Sequence, residues 1–108
     1  MSIPPVEKQP QVITSADKKL QILHHGGAVD GFGNYTIRGA IRNVSPESDV
    51  DVEIKVDYYD SNGIKIDFEV DVLSIPKPGG SRGFMIIYPG LRHDDVQSYK
   101  IYPMVSLR

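Results

Sequence analysis

The chain has 108 residues, of which 40% are hydrophobic and 24% charged, a balance typical of one globular domain rather than of a disordered protein. Its net charge of −2 excludes a whole-chain electrostatic attraction to nucleic acid or to an anionic membrane. The absence of cysteine excludes disulfides, thiolate metal sites and a cysteine nucleophile, and no apolar run approaches the ~20 residues that span a bilayer.

The first 19 residues are rich in proline, glutamine and lysine and show no sustained hydrophobic periodicity. We expect residues 1–19 to form a flexible arm or tether, with residues 12–14 pairing on a sheet edge. No apolar core of a signal peptide is visible near the N-terminus. The chain is therefore expected to be cytoplasmic if Met1 is the native start, or else to be a domain of a longer exported or anchored protein.

Residues 20–108 read as short strands separated by turns. Turns are predicted where Pro46, Pro76 and Pro78 lie, because proline cannot donate to a sheet ladder, and residues 24–33 are predicted to be a glycine-rich loop. Apart from a central hairpin, the predicted strands are residues 20–23, 34–43, 84–88 and 96–107. This spacing predicts a single all-β domain with the architecture of an antiparallel sandwich of about seven strands.

The central hairpin occupies residues 50–72, where apolar and polar residues alternate on both sides of the tip Asp-Ser-Asn-Gly at residues 60–63. One face should be buried, and its predicted members are Val52, Ile54, Val56, Tyr58, Ile64, Ile66, Phe68 and Val70. The apolar residues of the two strands lie on the same side of the hairpin only if the connecting loop has an odd number of residues. A three-residue loop with Gly63 left-handed satisfies this, and a five-residue loop would pair Asp57 with Lys65, so two registers stay open.

The outward face of this hairpin would be acidic, with seven carboxylates against two lysines (2 − 7 = −5), which leaves +3 on the rest of the chain. The candidate interaction face consists of Asp51, Glu53, Asp57, Asp67, Glu69 and Asp71. Such a face could receive a cation or a basic partner. The favoured interpretation is a solvated surface whose charges discourage edge-to-edge aggregation.

Two weak metal candidates appear. Residues 58–69 resemble a twelve-residue calcium loop at Asp60, Asn62 and Glu69, but Tyr58 occupies the position of the defining aspartate, so a simple turn is favoured. His24 and His93 would form a mixed site with nearby carboxylates only if their two loops met. Neighbouring histidines 24 and 25 point to opposite faces of an extended strand, so they cannot easily bind one metal ion together. We therefore expect no cofactor or metal.

No catalytic pattern is present: there is no nucleophile elbow and no phosphate loop, and carboxylates that repeat on an open strand do not form a distinguishable acid and base. We therefore expect a protein that is not an enzyme. The six tyrosines and three phenylalanines are not interleaved with a basic stripe, so nucleic-acid binding is not expected.

Near the C-terminus, the spacing of Asp95, Gln97, Tyr99 and Ile101 predicts a tyrosine corner, with the Tyr99 hydroxyl bonded to backbone and with Tyr99 and Ile101 in the core.

Several of these features occur together in a known family. The chain resembles the FxLYD domain through Gly39-x-Ile41-x-Asn43-x-Ser45, the segment Val56-Asp-Tyr-Tyr-Asp60 with Asn62-Gly63, Pro78-Gly79 before Phe84, and the last strand from Val96 to Tyr99. The likeness covers about residues 20–107. Val56 stands where the family has Phe, and Tyr58 where it has Leu, which should change packing rather than architecture.

The resemblance implies an immunoglobulin-like sandwich of prokaryotes, often exported, lipid-anchored or attached beside a membrane segment, with no established activity, cofactor or catalytic residue. It places the protein outside the cytoplasm or tethered to a membrane, without direct insertion of this segment. The expected function is protein contact or structural spacing in a cell-envelope protein, with another protein as the partner. The alternative is a module that binds a cation or a basic ligand through the acidic hairpin.

Overall fold

The structure, a computed structural model, describes residues 9–106. Its strands are β1 (Ile13–Thr14), β2 (Leu20–Val29), β3 (Tyr35–Asn43), β4 (Val50–Tyr59), β5 (Lys65–Ile75), β6 (Ser81–Ile87) and β7 (Ser98–Val105), with one 3₁₀ turn at His93–Asp95. Within residues 9–106, no helix is long and apolar enough to cross a membrane.

The strands form two antiparallel sheets, with the orders β1-β2-β3-β6 and β5-β4-β7. The predicted all-β antiparallel sandwich of about seven strands is confirmed. With β1 set aside, the orders β2-β3-β6 and β5-β4-β7 correspond to A-B-E and C′-C-F of an immunoglobulin-like sandwich.

The core lies between the sheets and is formed by alternate residues of each strand, as the pleat requires. Its completely buried members include Leu20, Ile22, Ile37, Ile41, Val52, Ile54, Val56, Tyr58 and Ile101. The four predicted inward residues of β4 are therefore confirmed.

The tip of the β4–β5 hairpin has the predicted three-residue loop. Gly63 has a φ of +74°. Its N–H donates to the Asp60 carbonyl oxygen at 3.0 Å, and the Asp60 N–H donates to the Ile64 carbonyl oxygen at 2.9 Å. A left-handed glycine closing a type I turn is the usual form of this loop.

The register beyond the tip differs from both predicted registers because β5 contains a bulge. Tyr59 pairs with Lys65, whereas Tyr58 pairs with Asp67, so that Ile66 is an extra residue. One extra residue sends every later side chain to the opposite face. Ile66 still packs against the core, but Phe68 and Val70 are 57% and 49% exposed. Their predicted burial was wrong, as was that of Ile64, which is 58% exposed in the loop.

Burial at the far end of β5 accounts for this register. Leu73 and Ile75 are 9% and 1% exposed and lie opposite Val52 and Val50. They have the opposite parity to Phe68 and Val70, so no single uninterrupted register buries both sets. The bulge sets the register in which Leu73 and Ile75 are the buried residues.

Two further predictions need correction. The predicted loop at residues 24–33 is too long, because β2 runs to Val29 and only residues 30–33 form the turn before β3. Gly27 lies where an added Cβ would collide with the rings of Tyr35 and Tyr99, so this glycine makes room for aromatic packing within a strand.

The predicted arm at residues 1–19 is in part a component of the sandwich. Residues 1–8 lie outside the described residues. The expected edge pairing is confirmed for Ile13 and Thr14. The Gln9 side chain donates to the Ile101 carbonyl oxygen at 3.1 Å and accepts the Ile101 N–H at 2.7 Å. Residues 9–19 are therefore not a free tether, because polar side chains fix them to the neighbouring strands.

A matched pair of substitutions tests the bulged register. Val56→Thr should lower the free energy of unfolding by ~1–3 kcal/mol, because it places a hydroxyl in the core. Val70→Thr should change it by less than about 0.5 kcal/mol, because that side chain is exposed and stays β-branched. Urea unfolding of both variants gives the comparison, and equal losses would restore the unbulged register.

Candidate functional site

The predicted acidic interaction face does not exist as one surface. Asp51, Glu53 and Asp57 project outward from β4, as expected. Asp67, Glu69 and Asp71 share the inward face of β5 with Leu73 and Ile75, because the bulge reverses that strand. The six residues are therefore divided between the two sides of the sheet.

The three β5 carboxylates, Asp67, Glu69 and Asp71, form what we call the inner carboxylate row. They are half-buried at the side of the sandwich where β5 and β6 are the outermost strands. The Tyr58 hydroxyl donates to the Glu69 carboxylate, and the Tyr88 hydroxyl donates to Asp67 Oδ2 at 3.1 Å. Two core tyrosines thus make inward carboxylates tolerable.

Asp67 and Asp71 have a second role on β5. Asp67 Oδ1 accepts the N–H of Phe68 at 2.9 Å, and Asp71 Oδ1 accepts the N–H of Val72 at 3.1 Å. The even-numbered residues of β5 direct their N–H groups away from β4, so these carboxylates occupy donors on the open edge of the sheet. Inward charges on an edge strand are a known protection against unwanted strand pairing.

Burial affects the titration of the row. Desolvation raises the pKa of Glu69; the Tyr58 hydrogen bond opposes this rise, while the nearby charges of Asp71 and Asp67 increase it. Burial also raises the pKa of Tyr58 far above its usual range, and the bond to Glu69 adds to that shift. The Tyr58 hydroxyl therefore remains a protonated donor at neutral pH.

On β5, the outer face of the sheet β5-β4-β7 carries apolar side chains where acidic residues were expected. We name as the contact face the exposed side chains Phe68, Val70, Val72, Tyr102 and Met104, which are 57%, 49%, 46%, 37% and 38% exposed. The pairing sets them in two columns, on β5 and β7, with Glu53, Lys55 and Asp57 of β4 between them. At β7 this face continues into an open groove of about 590 Å³ lined by residues 13–17 and 102–106 together with Glu53.

The charges on this outer surface largely neutralise one another. Asp57 is only 7% exposed and forms ion pairs with Lys65 at 3.0 Å and Lys55 at 3.9 Å. The Lys65 ammonium also lies 5.1 Å from the centre of the Phe68 ring. A carboxylate predicted to be available for a ligand is thus already paired.

The predicted metal candidates are not brought together. Asp60 Oδ1 accepts the N–H groups of Asn62 and Ile64, both at 2.9 Å, which is the work of a turn residue. Glu69 faces Tyr58 instead of the loop. His24 is exposed on β2, whereas His93 Nδ1 accepts the Tyr35 N–H at 2.9 Å. Within the described part of the chain, no three His, Asp or Glu side chains are grouped so that they could hold a metal ion.

The tyrosine corner was predicted with the wrong partner. The Tyr99 hydroxyl lies 2.6 Å from His25 Nδ1, and His25 Nε2 lies 2.9 Å from the Pro10 carbonyl oxygen. Because that carbonyl can only accept, Nε2 carries the proton and Nδ1 accepts from Tyr99. Burial raises the pKa of Tyr99 to about 12, which keeps its hydroxyl a donor. Ile101 is buried as predicted, and Tyr99 is half-buried against the core.

His25 is a buried polar residue, at 7% exposure, whose burial was not predicted from the sequence. The signal for it was present, because two adjacent histidines in a strand must place one side chain inward.

A comparison with solved structures agrees with this architecture. No family model matches the chain. Over 70 residues it is 36% identical to the uncharacterized protein MJ0360 of Methanocaldococcus jannaschii, a match that covers 65% of this chain and 52% of that protein. The chain thus spans about half the length of this relative. The crystal structure of Campylobacter jejuni cj0090 matches 91% of this chain and 100% of its own, with a TM-score of 0.64 and 18% identity, and shares the fold.

The inner carboxylate row should make stability depend on pH. Since the folded pKa of Glu69 is raised above its ordinary value of 4.5, the folded state binds this proton more tightly than the unfolded state. Stability is then lost as pH rises through the folded pKa. Glu69→Gln should be more stable than the wild type at neutral pH, and this advantage should vanish below pH 4.5.

Thermal or urea unfolding at several pH values measures the effect. The control is Glu47→Gln, which should not gain stability at neutral pH, because it breaks the surface ion pair with Lys19 at 3.1 Å. A Glu69→Gln variant that is less stable than the wild type at neutral pH would contradict the prediction.

Proposed function

We propose that the protein is a non-enzymatic β-sandwich module of a cell-envelope protein and that it acts by contact with another protein. The observation that carries this proposal is the contact face, an apolar surface on a sheet that has no layer covering it among residues 9–106. The resemblance to FxLYD domains supports the cell-envelope setting.

The contact face consists of two apolar runs, one on β5 and one on β7, and not of scattered single residues. Phe68, Val70 and Val72 follow one another along the same side of β5, and Tyr102 and Met104 do the same on β7. Isolated exposed apolar residues are normal on soluble proteins, but successive exposed apolar residues along two strands, with the charged residues of β4 between them, favour an interaction surface.

The charge of the face indicates which surface it fits. Lys55, Lys65 and Lys100 against Asp51, Glu53 and Asp57 give 3 − 3 = 0, and Asp57 is paired internally. A nearly neutral, apolar face selects an apolar partner surface and not a highly charged one. Its five anchors are few beside the ~20–30 residues per side of a standard interface, so the contact belongs to the small, transient class.

The alternative of a ligand site on the acidic hairpin gains no support in its predicted form, because its carboxylates lie on two sides of the sheet. The salt dependence of binding distinguishes a partner held by the contact face from a ligand held by ion pairs. The partner's affinity should change by less than about threefold between low and high salt, since apolar burial is not screened as ion pairs are.

Site-specific photo-crosslinking tests the proposal. A photoreactive phenylalanine analogue at Val70, in cells that produce the protein naturally, should give a discrete adduct with one partner protein. Val72→Asp in the same chain should reduce that adduct and weaken binding of the purified partner by roughly tenfold or more, because it places a charge in the apolar column.

The matched control is the same analogue at Val29, which has a similar exposure of 53% but lies at the end of β2, outside the contact face. The same adduct from Val29, or one from Val70 that is insensitive to Val72→Asp, would refute the proposal.

A further inference from the structure

The four outermost strands are not equally protected against the addition of another strand. At one side of the sandwich these strands are β1 and β7, and at the other they are β5 and β6. β1 has only two residues. β7 contains Pro103, which has no N–H, and its Ile101 N–H and carbonyl are both bonded to the Gln9 side chain.

β5 is also protected, because Asp67 and Asp71 accept the outward N–H groups of Phe68 and Val72. β6 has no comparable device. It contains no proline, and its exposed side chains include Met85 and Ile87, at 53% and 45% exposure.

The pairing of β6 with β3 shows which groups are open. Tyr88 N–H donates to the Tyr35 carbonyl oxygen, and Asn43 N–H donates to the Gly80 carbonyl oxygen, both at 2.9 Å. Even-numbered residues therefore bond to β3, and odd-numbered residues direct their backbone groups outward. Those residues are Ser81, Gly83, Met85 and Ile87, and within residues 9–106 no acceptor bonds to their N–H groups.

The side chains of an added strand would meet a charged surface on its inner side. Arg82 Nη1 donates to the Ser74 carbonyl oxygen, and the Tyr88 hydroxyl donates to Asp67 Oδ2, both at 3.1 Å. The first contact joins the start of β6 to the end of β5, and the second joins the residue after β6 to the start of β5. β5 therefore runs alongside β6, and the inner carboxylate row lies along β6. The row is half-exposed, and none of its members has a Lys, Arg or His within ion-pair distance among the described residues.

From these observations we propose that β6 is a strand-addition site for an extended segment of a partner protein in which basic and apolar residues alternate. Backbone bonds to Gly83, Met85 and their neighbours hold the segment. Its basic side chains meet the inner carboxylate row, and its apolar side chains lie beside Met85 and Ile87. A second copy of the chain fits poorly, because it would bring its own acidic row against the first. This site is distinct from the contact face and is independent of the function proposed for it.

The probe is a synthetic peptide, acetyl-(Lys-Val)₃-Lys-amide, added to the isotopically labelled full chain. Amide hydrogen exchange at Gly83, Met85 and Ile87, measured by NMR, should slow by at least roughly tenfold at saturation, because exposed edge amides become hydrogen-bonded. The same peptide with Glu in place of Lys should have no such effect. Asp67→Asn with Asp71→Asn should weaken binding of the Lys peptide while preserving the acceptors on β5.

Met85→Pro is the sharpest protein variant, since it removes an outward N–H and leaves the bonds to β3 in place, as Pro103 already does on β7. It should abolish the slowed exchange, whereas Met85→Ala, which keeps the N–H, should retain it. An N-methylated Lys peptide, blocked at the amides that face β6, must also fail to bind, and this arm does not depend on the variant's folding.

Three results would each overturn the proposal. The first is equal binding of the Glu peptide, and the second is full binding by Met85→Pro or by the N-methylated peptide. The third is slowed exchange along β6 that increases with protein concentration in the absence of peptide, which would identify a second copy of the chain as the occupant.

Discussion

The surface chemistry of this sandwich depends on one extra residue in β5, Ile66, which lies between the pairs Tyr59–Lys65 and Tyr58–Asp67. Before the bulge the hairpin follows the turn, and after it the strand follows the burial of Leu73 and Ile75. The same shift turns Phe68, Val70 and Val72 to solvent and the inner carboxylate row towards the other sheet. An apolar outer surface and an acidic inner margin are thus two results of a single insertion.

Carboxylates are uncommon on the inner side of a sheet, and here they are stabilised by their surroundings. Hydroxyl donors from Tyr58 and Tyr88 satisfy Glu69 and Asp67, while neighbouring amides on the open edge satisfy Asp67 and Asp71. The row therefore lowers the stability of the fold, but it blocks strand addition at β5 and places negative charge beside β6. β6, which has no such guard, is the edge that remains available.

Much of the fold could be predicted from the sequence, because strict alternation in β3 and β4 and the Asn-Gly tip specify strands and a turn locally. The bulge was not predicted, because the apolar residues of β5 change parity between Val72 and Leu73 and only packing decides which of the two sets is buried. The hydrogen-bond partners of side chains were harder still to predict. The Tyr99 to His25 bond joins residues that are 74 positions apart and has no local signature. Of the candidate site, the acidic residues were identified, but the face was wrong for the three that lie on β5.

The segment before β2 connects the two layers, since β1 pairs in one sheet while Gln9 bonds to β7 of the other. Pro10 also provides the acceptor for His25 Nε2. A shortened protein that began at Leu20, the boundary indicated by composition, would uncover the margin of β7 and leave a buried imidazole nitrogen unsatisfied. Residues 9–19 are therefore a structural part of the sandwich, although their composition resembles that of a linker.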